Sequence, residues 1–305
     1  MFLPLITHPE YSYEFPAKHR FPMQKFSLLH RYLKERGIAS KQNTFRPGPA
    51  KSELLELAHC KEYIKRFTAN KMDAKEQRRM GLPWSEGLVK RTVISPMGTL
   101  LTAHYALAHG VACHLAGGTH HANFNFASGF CIFNDLAIAA KALISSGKAR
   151  RVLIFDCDVH QGDGTARILE NTPAAFTCSV HCEKNFPVRK ATSDMDVNIP
   201  PACGDIDYLT AVENALEKAI LLSKPDIVLY DAGVDVFRDD PLGLLNISMQ
   251  AIRERDRFVI SHCMRKKIPV ATVIGGGYDR NQEALARRHA IVVEVAHTLL
   301  CEQAS

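Results

Sequence analysis

The stretch VLIFDCDVHQGDG, residues 152–164, changes character in mid-course. Val152–Phe155 is a short apolar run without alternation, which predicts a strand buried on both faces, as in a parallel sheet. Directly after it come Asp156, Asp158, His160 and Asp163, with glycines at 162 and 164. Open parallel sheets bind their ligands at the carboxyl ends of the strands, and this run places polar, metal-capable side chains there.

Four other apolar runs read the same way: Val111–Ala116, Ala175–Val180, Ile227–Tyr230 and Val270–Ile274. Around them lie stretches of helical period, at Phe26–Arg36, Glu53–Phe67, Leu100–His109, Asn134–Leu143, Tyr208–Leu222, Ser248–Arg265 and Gln282–Leu300. Helix alternating with buried strand predicts an α/β fold, a three-layer sandwich with a central, mostly parallel sheet. Segment 68–95 is the most polar and irregular and reads as a surface excursion. No composition break, Gly/Ser linker or internal repeat divides the chain, so a single domain over 1–305 is expected.

The chain has 305 residues, 46% hydrophobic and 23% charged, which excludes intrinsic disorder and a disulfide-stapled miniprotein. Lys+Arg 38 against Asp+Glu 32 gives a net charge of +6. The basic residues are scattered, without a basic tail or basic–aromatic interleaving, so no nucleic-acid partner is expected. Nine cysteines form no CxxC pair, and several sit in apolar runs. That usage predicts reduced, buried thiols and a cytoplasmic location. The opening MFLPLITHPEYSYEF is broken by Pro4, His8, Pro9 and Glu10, so it does not read as a signal peptide. No window of 18 apolar residues suggests a membrane span.

Three more strand ends carry polar clusters: GGTHH at 117–121, DAGVD at 231–235 and GGGYD at 275–279. Four clusters on one sheet edge predict one catalytic centre. Asp158 and His160 point to the same side of an extended segment, because side chains alternate with period two. A carboxylate and an imidazole suit Zn²⁺, Asp235 is the natural third ligand, and the fourth position stays open for water or substrate. The bland alternative, a turn-capping Asp158 and a core His160, is weakened by the flanking Asp156 and Asp163. His120 and His121 are candidates for general base, general acid and electrostatic partner, against a second metal site or two surface histidines. Asp156 and Asp163 are the spare carboxylates that could fix their tautomers. Gly275–Gly277 let the backbone approach a ligand closely while aiming Tyr278, whose neutral hydroxyl can donate to a developing oxyanion. A phosphate-cradling loop is disfavoured, since the glycine spacing fits no dinucleotide or P-loop fingerprint.

With these residues assembled, the sequence resembles the histone deacetylase family, which also includes bacterial acetylpolyamine and acetoin-utilisation amidohydrolases. The matching stretches are GGTHH (117–121), ASGFCIFND (127–135), DCDVHQGDG (156–164), DAGVD (231–235), DDPLG (239–243) and GGGY (275–278). The N-terminal THPEYSYEFP and SLLHRYLKERG, and GLLNIS at 243–248, look most like class IV members and their bacterial relatives. The resemblance implies an arginase/deacetylase-like fold with one Zn²⁺ per chain on Asp158, His160 and Asp235. It implies His121 as general base, and also general acid, leaning on Asp163, with His120 as its electrostatic partner leaning on Asp156. Some class IV relatives carry Asn at the position of Asp163; here the carboxylate is present. Tyr278 is implied to bind the substrate carbonyl. A structural K⁺ is implied near Asp156, Asp158, His160, Ser179 and the Val180 carbonyl, and an acyl-lysine channel along Gly129, Phe130 and Phe186.

The activity implied is zinc-dependent removal of acetyl or longer acyl groups from the lysine side-chain amine in proteins. The alternative is a small-molecule amidohydrolase acting on acetylpolyamines or related acylated amines. A non-catalytic acyl-lysine reader would lack a ligand or the tyrosine, and a two-metal ureohydrolase would need more Asp/His ligands around Asp158 and His160. Small residues at Ala127, Ser128 and Gly129 suggest room for a longer acyl chain. Acylated lysine or small acylated amines are the partners implied, with neither nucleic acid nor membrane, and assembly with further copies of the chain left open.

Overall fold

Eight strands pair in parallel throughout, in the order β2-β1-β3-β8-β7-β4-β5-β6. They are β1 Leu5–Ile6, β2 Thr44–Phe45, β3 Val111–His114, β4 Val152–Asp156, β5 Ala175–Cys182, β6 Met195–Ile199, β7 Ile227–Asp231 and β8 Val270–Val273. In this computed structural model the described residues are 2–304, so Met1 and Ser305, the ends of the expected 1–305 domain, lie outside them. Every residue of β3, β4, β7 and β8 is buried, which is why these strands read as unbroken apolar runs.

The described residues form ten α-helices: α1 Lys25–Glu35, α2 Ser52–Leu55, α3 Lys61–Thr68, α4 Ala74–Met80, α5 Glu86–His109, α6 Asp135–Ser145, α7 Asp163–Leu169, α8 Asp205–Ser223, α9 Met249–Arg265 and α10 Gln282–Ala304. α1, α10, α9 and α8 pack side by side in that order, and α5, α6 and α7 form a second run. The result is the expected three-layer α/β arrangement. Among the described residues no helix is long and apolar enough to cross a membrane.

The expected strands are found within two residues of their predicted ends. Three strands were not expected. β1 and β2 have two residues each, β1 buried but too short to register as a run, and β2 and β6 are partly exposed strands at the two sheet edges. The expected helix over 53–67 is two helices, α2 and α3, separated by a turn at 56–60.

The irregular surface excursion expected over 68–95 lies largely at the surface up to Lys90, but it is helical where irregular chain was expected. Asp73 and Glu76 form a capping box that starts α4, and Gly81 closes it at φ +75°. Ser85 then caps α5, a 24-residue helix whose last ten residues alone were expected. Arg91, Thr92, Ser95 and Thr99 on this helix are buried, so from Arg91 onward polar residues lie inside the molecule. Thr99 bonds to His114 and Asp135, which gives a buried hydroxyl its partners.

Candidate active site

β3, β8, β7 and β4 are consecutive in the sheet, so the four polar clusters at their carboxyl ends lie side by side. The loops after β4 and β7 bring Asp158, His160 and Asp235 together, with ligand atoms within 4.8 Å of one another and all three residues buried. His160 Nδ1 lies 3.0 Å from Asp158 Oδ1 and 3.1 Å from Asp235 Oδ2. Backbone amides hold the carboxylates: His160 N and Gly276 N donate to Asp158, and Val159 N donates to Asp235. Any side chain at position 276 would collide with both carboxylates, so glycine is required there.

Burial and the charge of Asp158 push Asp235 up to about 6. Burial alone would lower His160, but its two carboxylate partners raise it to about 10. Two buried carboxylates facing one imidazole nitrogen demand a positive charge between them. A divalent cation with N and O ligands meets that demand, and the donor set fits Zn²⁺.

The loop after β3 places the two histidines against different carboxylates. His120 Nδ1 lies 2.7 Å from Asp156 Oδ2, and His121 Nδ1 lies 2.8 Å from Asp163 Oδ1. Burial opposes the charged form of both. For His120 the carboxylates of Asp156 and Asp158 outweigh burial and hold it well above its ordinary value. For His121 burial and the neighbouring His120 charge lower it to about 4, against the pull of Asp163. Asp163 is also bonded by Arg167. The surroundings of His120 thus favour its charged form and those of His121 its neutral form, with Nδ1 of each engaged by a carboxylate.

Tyr278 follows the glycines after β8, with its amide donating to Asp240 Oδ2 at 2.7 Å. Burial, then the charges of Asp235 and Asp158, raise its hydroxyl well above 10, so it is a neutral donor at pH 7. His121, His160 and Tyr278 form the floor of a cavity of about 610 Å³. Gly129, Phe130 and Phe186 line its walls. Phe186 meets His121 edge to face at 4.8 Å, and Phe130 lies 5.8 Å from Tyr278. The space expected beside Ala127, Ser128 and Gly129 is partly filled. Ala127 is in the core, and a Cβ at Gly129 would lie 2.6 Å from the His121 ring.

The residues expected near a K⁺ are also neighbours. Asp156 and Ser179 are register partners in β4 and β5, followed by Val180. The structure adds Asp231 to this region: His120, Asp156 and Asp231 are a second buried group with metal-ligand spacing. Both Asp231 oxygens lack hydrogen-bond partners, and burial beside Asp156 pushes its carboxyl well above the ordinary range.

Further supporting residues were not singled out from the sequence. Asp135 accepts from Thr119 N and Gly118 N and so fixes the turn before the histidines. Lys25 Nζ reaches the carbonyls of Gly275 and Gly277 at 3.3 Å each. Arg255, fully buried on α9, donates to the carbonyls of Cys157, Ala232 and Gly233 and pairs with Asp256. Asp240 lies in the quoted DDPLG stretch, which was its only signal.

A parallel α/β sheet carrying a buried two-carboxylate, one-imidazole cluster beside histidine–aspartate pairs defines a protein with a candidate metal site at the carboxyl edge of its sheet. The histone deacetylase domain family matches residues 19–296. An uncharacterized protein of Picosynechococcus is 46% identical over 97% of this chain and 99% of its own. The acetoin utilization protein AcuC of Staphylococcus aureus is 30% identical over 81% of this chain and 69% of its own. The crystal structure of an HDAC homolog from Aquifex aeolicus superimposes with a TM-score of 0.80 at 25% identity, covering 97% of this chain and 84% of that one. The chain belongs to the histone deacetylase family.

Proposed function

We propose that this deacetylase-family hydrolase removes acetyl or longer acyl groups from the side-chain amine of lysine in proteins, with Zn²⁺ on Asp158, His160 and Asp235. The observation that carries this reading is that His160 of that cluster, His121 of the His121–Asp163 pair and Tyr278 all line one 610 Å³ cavity. A zinc ion supplies positive charge that polarises an amide carbonyl and acidifies water. We further assign K⁺ to Asp156, Ser179 and the Val180 carbonyl, beside Asp158 and His160.

The residues of the chain have distinct tasks in this reading. With Nδ1 tied to Asp163, His121 offers Nε2 to take a proton from attacking water and later to deliver one to the leaving amine. The neighbouring His120 keeps its positive charge beside Asp156 and stabilises the anionic character that develops. Tyr278 donates its hydroxyl to the carbonyl oxygen as that oxygen becomes negative. Phe130 and Phe186 enclose the apolar stem of the lysine and keep water from it, while Gly129 leaves room for His121.

The test is hydrolysis of a panel of acyl-lysine peptides and acetylpolyamines by the purified protein, with metal content measured on the same sample. Acyl-lysine hydrolysis that is lost on chelation, restored by zinc and absent in Asp235→Ala supports the reading. Full activity in metal-free protein, or activity confined to polyamines, overturns it. Within the same panel, kcat/KM for acetyl against myristoyl peptides decides the acyl length.

A further inference from the structure

The mouth of the cavity carries a charge pattern that the floor does not require. Arg20, Arg78, Arg79 and Lys184 all line it, and no Asp or Glu does. They come from three separate parts of the chain: the loop before α1, the end of α4, and the loop after β5. All four are exposed. Lys184 has Glu183 at 3.9 Å, so the weight falls on the arginines. Among the described residues none of the three arginines makes an ion pair with a carboxylate.

Two of these arginines are held in position. The Arg79 guanidinium lies 3.9 Å from the centre of the Phe126 ring, and its Nε donates to the Ala127 carbonyl. The Arg20 guanidinium lies 5.7 Å from the centre of the Phe130 ring. Stacking leaves outer N–H groups free and reduces the entropy lost when an anion binds. Much of the remaining lining is apolar, with Phe186, Pro241, Leu242 and Leu244. A lysine stem entering this cavity from a basic peptide would bring like charges against three unpaired arginines. A polycationic amine would meet the same repulsion, and like-charge contact is a strong means of rejecting wrong partners.

We infer that the preferred substrate is an acylated lysine flanked by acidic residues, the flanking carboxylates pairing with Arg20, Arg78 and Arg79 at the mouth. This rests on the acyl-lysine hydrolase reading above and narrows it to acidic polypeptide segments. Arginine binds carboxylates through paired N–H donors, so the rim selects the sequence around the lysine and not the acyl group at the floor.

The test uses three acetyl-lysine peptides alike except for acidic, neutral or basic flanks, together with acetylspermidine, assayed with the zinc-loaded protein. At low salt kcat/KM for the acidic peptide should exceed that for the basic one at least about tenfold, mainly through KM, and salt should shrink the ratio. Arg78→Glu and Arg20→Gln should each lower that ratio; Arg79 is spared because it also holds the Ala127 carbonyl. A ratio of one or less, acetylspermidine as the best substrate, or a ratio unchanged in both variants overturns the inference. Binding of the same peptides, fluorescently labelled and followed by anisotropy, separates the two ideas. If no peptide is cleaved, the hydrolase reading falls; equal affinities across the charge series overturn the rim whatever the activity.

Discussion

His120 and His121 are adjacent in sequence, yet each leans on its own carboxylate, Asp156 and Asp163. Their unequal electrostatics make one prediction about removal. His121→Ala should cost roughly 10²–10⁴-fold in kcat, the range for a general base, and more than His120→Ala costs. Steady-state kinetics of the two variants checks this, and equal, mild losses would contradict the assignment. Tyr278→Phe removes a donor and keeps the ring packed near Phe130. By analogy with other oxyanion donors, kcat should fall about 10²–10³-fold while KM moves much less, since the hydroxyl acts on the charge of the transition state. Zinc content should be unchanged. Near-wild-type kcat in Tyr278→Phe would reduce the phenol to a packed aromatic.

At the scale of elements, the turn leading into α3 is tied to the start of α6 through His59. Its Nδ1 donates to the Asn123 carbonyl, and its Nε2 accepts from Asn134 N. Burial lowers His59 to about 4, below the ordinary 6.5 that it regains on unfolding. The unfolded chain therefore takes up a proton first as the pH falls. The stabilisation from neutral His59 is complete above about pH 6.5 and is lost toward pH 4, amounting to about 2 kcal/mol between pH 7 and 5. Denaturant unfolding should show the stability gap between the natural protein and His59→Gln narrowing by about that amount over this range; a constant gap would refute the coupling. The elements legible in the sequence share one property. β3, β4, β7 and β8 are apolar because they are buried on both faces, and their polar ends announced the site. The first half of α5 was hidden because Arg91, Thr92 and Ser95 are polar residues with buried surroundings supplied by distant parts of the chain. Lys25 was hidden for the same reason: the carbonyls it reaches are 250 and 252 residues away. Asp235 was legible because it lies in the polar cluster just after β7, whereas Arg255 sits inside a helix whose pattern says nothing about the carbonyls it holds.

For the whole molecule, the zinc assigned to Asp158, His160 and Asp235 carries a prediction about stability. Zinc bound only by the folded chain should stabilise it by about 2.7 kcal/mol at one hundred times its Kd. Calorimetry should show a Tm rising with free zinc in the natural protein and flat in Asp235→Ala; equal responses would remove Asp235 from the ligand set. The strand order has a consequence for the growing chain as well. β8 fills the slot between β3 and β7, so the middle of the sheet is the last part of it to be synthesised. Until residues 270–273 are available, β3 and β7 each lack the neighbour that β8 supplies in the finished sheet, leaving backbone unpaired on that side. Such edges are templates for wrong partners. A nascent chain halted before that point is exposed to aggregation at its centre, not at its periphery. The same closing step brings Gly276 and Tyr278 to the other site residues, so the chemistry and the finished sheet arrive together.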